Sequence, residues 1–142
     1  MTDRHVFSKT LNGATAATQT EMEAATSNTA YGTALNIKWN PGVAKSWIRF
    51  NGQGVVSIGA SLNITSLTDD AVGKYTVTLA TDHSSGQYAA VGSAKTNDTA
   101  GNDTIIAQIG TVLAGSYTIN TASEVTTLTD CVVVSGVTFG DQ

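Results

Sequence analysis

Apolar residues alternate with hydroxyl-bearing or charged residues along most of this chain. In the segment 74–79, Tyr75, Val77 and Leu79 occupy every second position, with threonines between them. Successive side chains of a β-strand point to opposite faces of a sheet, so this period of two predicts a half-buried strand. About nine such segments recur between turn signals such as the Asn-Gly pair at 51–52, which is the spacing of small antiparallel β-proteins. The sequence predicts an all-β fold, an antiparallel β-sandwich or barrel.

The composition limits the kinds of partner that such a fold can have. Charged residues make up 13% of the 142 residues, against ~25% in ordinary soluble domains. The net charge is −4, without a basic run, so no nucleic-acid partner is expected. No apolar run reaches the ~18 residues of a membrane-spanning helix, so no membrane partner is expected either. An uncharged surface suits permanent assembly, although a monomer that uses threonine for solvation fits the composition equally well.

Residues 1–33 differ from the rest of the chain because they are rich in alanine and threonine. Thr20 and Glu23 are spaced as in a capping box, which predicts one or two helical turns over Thr20–Ala25. So short a helix is marginal by itself and needs a surface to pack on. We therefore predict an anchoring arm at 1–33 and a β-rich knob at 34–142. The candidate anchoring residues are the large apolar ones of the arm: Val6, Phe7, Leu11 and Met22.

The knob is predicted to begin with a strand in which Leu35, Ile37 and Trp39 alternate with polar residues. Large aromatic residues at such positions fill a core or a subunit interface more often than they bind a ligand. The residues assigned to one or the other of these roles are Trp39, Trp47, Phe50 and Tyr75.

Residues for catalysis are sparse, and no catalytic residue, cofactor or metal ion is predicted. His5 and His83 are the only histidines, and Cys131 lies in an apolar run that predicts a buried, inert thiol. Asp69 and Asp70 are neighbours in a strand, so their carboxylates should not converge. The oxygen-bearing segment 97–103 departs from the pattern of a calcium loop, and a solvated loop is the better interpretation. A small metal- or carbohydrate-dependent enzyme is therefore disfavoured.

Two segments resemble structural proteins of tailed bacteriophages. The segment 14–26 contains Ala-Thr-Gln-x-Glu-x-Glu-Ala, which is similar to a segment of tail-fibre and related proteins. The segment 44–54, Ala-Lys-Ser-Trp-Ile-Arg-Phe-Asn-Gly-Gln-Gly, resembles the opening of a short β-domain in the same proteins. Further likeness follows in the same order and spacing, so that the resemblance spans residues 14–95. It extends over 63–69, 73–77 and 88–92.

This resemblance implies a knob on the virion surface, commonly trimeric, with no catalytic residues to carry over. About forty residues precede the β-rich part, and at ~3.3 Å per residue even an extended arm of that length is short. A knob seated close to its particle is expected, which favours a capsid decoration protein of the cement or head-fibre kind. Its expected partners are further copies of itself and the major capsid protein, assembled in the host cytoplasm without a signal peptide.

A second interpretation is a tail-fibre tip that binds a host receptor, with tail proteins and that receptor as partners. Recognition residues tend to lie on loops held by a rigid scaffold. The loops concerned are 81–86 and 94–103. Their candidate exposed residues are His83, Asn97, Asp98, Asn102 and Asp103.

Overall fold

The computed structural model describes residues 15–25, 30–33, 36–96, 105–123 and 127–142. Within these ranges it is mostly β-structure, which confirms the prediction of an all-β fold. One α-helix, α1 (Gln19–Ala24), and one 3-10 helix (Ile37–Trp39) precede the strands. The strands are β1 (Ala44–Asn51), β2 (Ser57–Leu62), β3 (Ile64–Ala71), β4 (Lys74–Leu79), β5 (Ala89–Lys95), β6 (Ile105–Leu113), β7 (Ser116–Ser123), β8 (Thr127–Leu128) and β9 (Val133–Phe139).

The strands form two antiparallel sheets. Sheet 1 has the order β2-β1-β9-β5, and sheet 2 has the order β3-β4-β7-β6, with β8 paired to the end of β7. The chain passes from sheet 1 to sheet 2 at Asn63, which takes the left-handed conformation with φ 57°. Asparagine tolerates this conformation better than most residues. Its side chain also accepts from the Thr81 N–H at 2.7 Å and donates to the Thr81 carbonyl at 3.0 Å.

One hydrophobic cluster takes side chains from both sheets. The ring of Phe50 in sheet 1 meets that of Tyr75 in sheet 2 edge-on, with centroids 4.9 Å apart and an angle of 70°. Phe50 and Tyr75 are thus core residues, and Cys131 is buried beside them, as predicted. The buried members are Ile48, Phe50, Tyr75, Val77, Leu79, Tyr117, Ile119, Cys131 and Val134.

The short helix is present, but its capping box lies two residues earlier than predicted. Thr18 is the N-cap, and its side chain accepts from the Glu21 N–H while the Glu21 carboxylate accepts from the Thr18 N–H at 2.9 Å. The sequence contains two overlapping Thr-x-x-Glu patterns, at 18–21 and 20–23. The earlier one forms, and the helix ends at Ala25 in the left-handed conformation.

The predicted strand through Ile37 and Trp39 is wrong, because these residues form the 3-10 helix; Leu35 lies outside the described residues. Asn36, which is buried, explains the difference. Its side chain donates to the Ala17 carbonyl at 2.6 Å and accepts from the Thr33 N–H at 2.5 Å. This local hydrogen bonding competes with extended structure.

Candidate functional site

An apolar row crosses the outer face of sheet 1 from one edge to the other. Because Ile48 of β1 points into the core, its neighbour Trp47 points outward. The strand register places Leu62 of β2 and Val137 of β9 opposite Trp47, and Val91 of β5 opposite Val137. Residues directly opposite each other lie on the same face of a sheet. We call Leu62, Trp47, Val137 and Val91 the apolar row.

Three of the four side chains of the apolar row are exposed, and that of Val137 is half-buried. Trp47 is 39% exposed, Leu62 49% and Val91 58%. Scattered exposed apolar residues are normal on a protein surface, but contiguous apolar patches mark interaction sites. The row is contiguous across four strands, so it is a candidate interaction surface.

A groove runs beside the apolar row because the next row of the sheet has small side chains on three of its four strands. The register aligns Ala60, Arg49, Ser135 and Ser93 across the same four strands. The groove has a volume of ≈ 360 Å³ between Trp47, Val91 and Val137, with glycine and serine backbone as its floor. Its shape would accept an apolar or aromatic side chain of a partner protein.

Arg49 is the charged residue next to the apolar row, and Lys95 of β5 adds a second exposed cation to the same face. Arg49 is exposed and forms no salt bridge with any residue in the described ranges. Tryptophan and arginine are the residue types most enriched among those that dominate binding energy at protein interfaces. Trp47 and Arg49, two positions apart on one strand, therefore form a suitable centre for a protein contact.

Strand β2 forms an unprotected edge next to the same face. All six of its residues are exposed, and none is charged or proline. No strand of the described residues pairs with its outer edge. Proteins normally shield such edges with charges, proline or a covering segment, because open backbone groups recruit other chains. The edge of β2 thus adds unpaired backbone groups to the candidate surface on sheet 1.

The outer face of sheet 2 is more polar than the outer face of sheet 1 on three of its strands. Thr68, Thr76 and Thr118 lie opposite one another across β3, β4 and β7. An antiparallel sheet that faces water carries polar residues on that side. Sheet 2 follows this rule on β3, β4 and β7, whereas its edge strand β6 adds the exposed Ile106 and Leu113.

The structure separates the four predicted core or interface residues into different places. Phe50 and Tyr75 are in the core, and Trp47 lies in the apolar row. Trp39 is half-buried in the 3-10 helix, with the Lys38 ammonium 5.9 Å from its ring centre.

His83, predicted to be an exposed loop residue, is buried, with only 3% of its surface accessible. Its Nδ1 donates to the Asp141 carbonyl at 3.0 Å, so Nε2 accepts from the Thr138 hydroxyl at 3.0 Å. Tyr88 stacks on the imidazole with ring centres 3.8 Å apart. Burial lowers the pKa of the His83 imidazole, which favours its neutral form. The hydrogen-bond partners of His83, Thr138 and Asp141, are more than 50 positions away in the sequence, so its local sequence gave no sign of its burial.

The other predicted site residues lie mostly beyond the described ranges. Val6, Phe7 and Leu11 of the arm, and Asn97, Asp98, Asn102 and Asp103 of the polar loop, are outside them. Met22 is half-buried on α1 beside Gly32. The assignment of the arm to anchoring stays a prediction.

The described residues contain few groups suited to chemistry. No cluster of three His, Cys, Asp or Glu side chains in the described ranges is placed to hold a metal ion. Asp69 and Asp70 diverge as predicted, since Asp69 lies opposite Tyr75 while Asp70 accepts from the Thr76 hydroxyl at 2.6 Å. Burial raises the pKa of the Cys131 thiol, which makes it a poor nucleophile at neutral pH. No helix among the described residues is long and apolar enough to cross a membrane.

Sequence reasoning found Trp47 but missed its companions Arg49, Leu62, Val91 and Val137. The row spans 90 positions of sequence, from Trp47 to Val137, and only the register of four strands brings its members together. The alternation within β1 was a usable signal, because it places Trp47 and Arg49 on one side of the strand.

No family model matches the chain, and neither the curated proteins nor the solved structures give a significant match.

Proposed function

We propose that this chain is a structural protein of a tailed-bacteriophage virion that assembles with copies of itself, as a homotrimer, and decorates the capsid. The observation that carries the assembly part is the apolar row on sheet 1, with Trp47 exposed at its centre. The phage and capsid parts are supported by the resemblance of the sequence over residues 14–95.

The physical case for assembly is the cost of leaving this face in water. Burying apolar surface contributes ~25 cal/mol per Å². Trp47, Leu62 and Val91 keep 39% to 58% of their surface exposed, although both neighbours of Trp47 along β1 are buried. The groove and the open β2 edge add shape and backbone hydrogen bonding to the same surface. A partner surface would therefore gain both apolar burial and directional contacts.

The case for a structural rather than catalytic role rests on how the polar groups are used. The buried hydroxyls of Ser46 and Thr138 bond each other at 2.7 Å, and Thr138 bonds the buried His83. Tyr75 donates to the Gly52 carbonyl and to the Asp130 carboxylate. These polar groups form hydrogen bonds with one another and with the backbone, which stabilises the fold.

Binding of the fluorescently labelled protein to phage heads that lack it, in parallel with binding to host cells, tests the proposal. Saturable binding to heads, with a copy number that matches threefold positions, is the expected result. Binding to cells alone would overturn capsid decoration in favour of a receptor-binding tail tip. Binding to neither would overturn both virion assignments.

A matched pair of variants makes the test specific to the apolar row. Trp47→Asp places a charge on the outer face of sheet 1, whereas Gln108→Asp places one on the outer face of sheet 2, at an exposed position of the edge strand β6 opposite Asn120. Trp47→Asp should reduce head binding by removing the trimer, while Gln108→Asp should bind like the wild type. Equal loss in both variants would show that the apolar row has no special part.

A further inference from the structure

The charges of the chain are distributed unequally between its two sheets. Sheet 1 contains three basic residues, Lys45, Arg49 and Lys95, and no acidic residue. This is unexpected in a chain whose net charge is −4. Lys45 is buried and donates to the Asn40 carbonyl at 3.0 Å. Arg49 and Lys95 are exposed on the outer face, and Arg49 lies at its centre, next to the apolar row.

Sheet 2 carries the complementary charge at one corner. Its edge strand β3 carries the adjacent carboxylates Asp69 and Asp70 just before its last residue, and both are exposed; the exposed Lys74 begins the neighbouring strand, so the corner keeps a net negative charge. The Thr76 hydroxyl holds the Asp70 carboxylate from the neighbouring strand. Val72, directly after the strand, is 59% exposed and gives this corner an apolar residue as well. We call Asp69, Asp70 and Val72 the acidic corner.

We propose that the outer face of sheet 1 in one copy binds the acidic corner of the next copy, so that Arg49 pairs with one of the two carboxylates of that corner and Val72 enters the groove beside Trp47. This inference rests on the proposed self-association and specifies its interface. The interface is heterologous, which means that two different surfaces of the chain meet. Such an interface closes into a ring when its rotation allows.

Charge decides between this arrangement and the simpler one in which two copies of sheet 1 stack face to face. Stacking would bring two Arg49 side chains, and no carboxylate of either sheet 1, into one contact. Like charges at an interface core cost several kcal/mol, whereas opposite charges fix the register of the two surfaces. The acidic corner offers a carboxylate to Arg49, whereas sheet 1 of a second copy contains none.

The size of the surface can be compared with that of a stable contact between copies. A standard interface covers ~800 Å² on each partner, roughly a tenth of the 8983 Å² accessible surface of the described chain. Strands ~4.8 Å apart that rise ~3.3 Å per residue make the four-stranded outer face about 19 Å by 23 Å. This flat outline is about 440 Å², roughly half of a standard contact, so the β2 edge and the protruding side chains must supply the rest.

Charge reversal on each side of the contact, followed by sedimentation velocity, tests the proposal. The three chains are Arg49→Asp, the double variant Asp69→Arg with Asp70→Arg, and the chain that combines all three changes. Each of the first two should weaken self-association ~100-fold or more, because like charges then face each other. The combined chain should recover most of the wild-type association, since its charges are opposite again.

Control variants carry the same charge changes elsewhere on the surface. Lys38→Asp changes an exposed lysine of the 3-10 helix, and Glu23→Arg with Asp82→Arg changes two carboxylates outside the acidic corner. All controls should associate like the wild type. Circular dichroism of each variant confirms that its strands are intact.

The possible outcomes separate the interface from the proposed function. If Asp69→Arg with Asp70→Arg leaves the wild-type oligomer unchanged, the acidic corner is not the partner and this inference fails alone. If the neutral variant Arg49→Gln associates more tightly than the wild type, two Arg49 side chains repel each other in the wild-type contact and the copies stack face to face. If the wild-type chain is a monomer at every concentration, the proposed homotrimer fails as well.

Discussion

Trp47 and Ile48 are neighbours in sequence that lie on opposite faces of sheet 1. Ile48 is 1% exposed in the core, and Trp47 is 39% exposed in the apolar row. The larger of the two apolar side chains is thus the one left outside. This placement follows from the strand register, which pairs Trp47 with Leu62 and Val137 on the outer face. It separates the residues that stabilise the fold from those available for assembly.

Substitutions at these two positions should therefore affect different properties. Ile48→Ala leaves a cavity in the core and should lower the free energy of unfolding by ~2–4 kcal/mol. Trp47→Thr, which keeps good β-propensity, should change the stability of the dilute monomer by less than ~1 kcal/mol. Urea denaturation at low protein concentration measures both. A larger effect for Trp47→Thr would place the indole in the core.

The Tyr75 hydroxyl should contribute measurably to stability. It donates to the Gly52 carbonyl at 3.0 Å and is 2.9 Å from the Asp130 carboxylate, which also accepts from the Gly73 N–H at 2.6 Å. Tyr75→Phe leaves the buried carbonyl and carboxylate without this donor, so the free energy of unfolding should fall by ~1–3 kcal/mol. The same change at Tyr31, whose ring is 41% exposed, is the control and should be neutral. Equal stability of the two variants would contradict this role.

Two glycines with the same backbone conformation should respond very differently to alanine. Gly54 and Gly73 have φ of 65° and 63°, so alanine is strained at either position, by ~1–2 kcal/mol. A Cβ at Gly54 meets nothing within 4 Å, whereas one at Gly73 would lie 2.4 Å from the Thr121 carbonyl oxygen. Gly73→Ala should therefore lose at least ~2 kcal/mol more than Gly54→Ala. Thermal unfolding compares them, and similar losses would contradict the close approach at Gly73.

Stability should fall as the pH is lowered past the ordinary titration range of histidine. Burial lowers the pKa of His83 in the folded state below its value of 6.5 in the unfolded chain. The unfolded chain then binds more protons, so this contribution is complete above pH ~6.5 and is lost as the pH falls towards the folded-state pKa. Urea denaturation from pH 8 to 5.5 should show the slope in the wild type and a smaller one in His83→Asn. Identical slopes would contradict the assignment to His83.

Secondary structure was predicted correctly from the sequence where the alternation of apolar residues alone determined it. The alternation in β4 placed Tyr75, Val77 and Leu79 in the core correctly. It failed at Ile37 and Trp39, where the same alternation was overridden by the hydrogen bonds of Asn36 to Ala17 and Thr33. Patterns of apolar residues do not reveal such side-chain contacts with backbone groups elsewhere.

The candidate surface was harder to predict because it depends on which strands are neighbours. Trp47 could be assigned to a core or an interface from its residue type, but the choice needed the pairing of β1 with β2 and β9. The pairing of β5 with β9 then added Val91, 44 positions after Trp47. Long-range register of this kind is set by the complete fold and has no local signal. The buried position of His83 was missed for the same reason, since its partners Thr138 and Asp141 are far away in the sequence.

The association state of the wild-type chain beside Trp47→Asp tests the central claim most directly. Sedimentation equilibrium over a wide concentration range should give the wild type a mass near three times the 14.6 kDa of one chain. Trp47→Asp should sediment as a folded monomer, because a charge in the apolar row prevents its burial. A wild-type monomer at all concentrations, or a Trp47→Asp variant that still forms the same oligomer, would contradict assembly through this face.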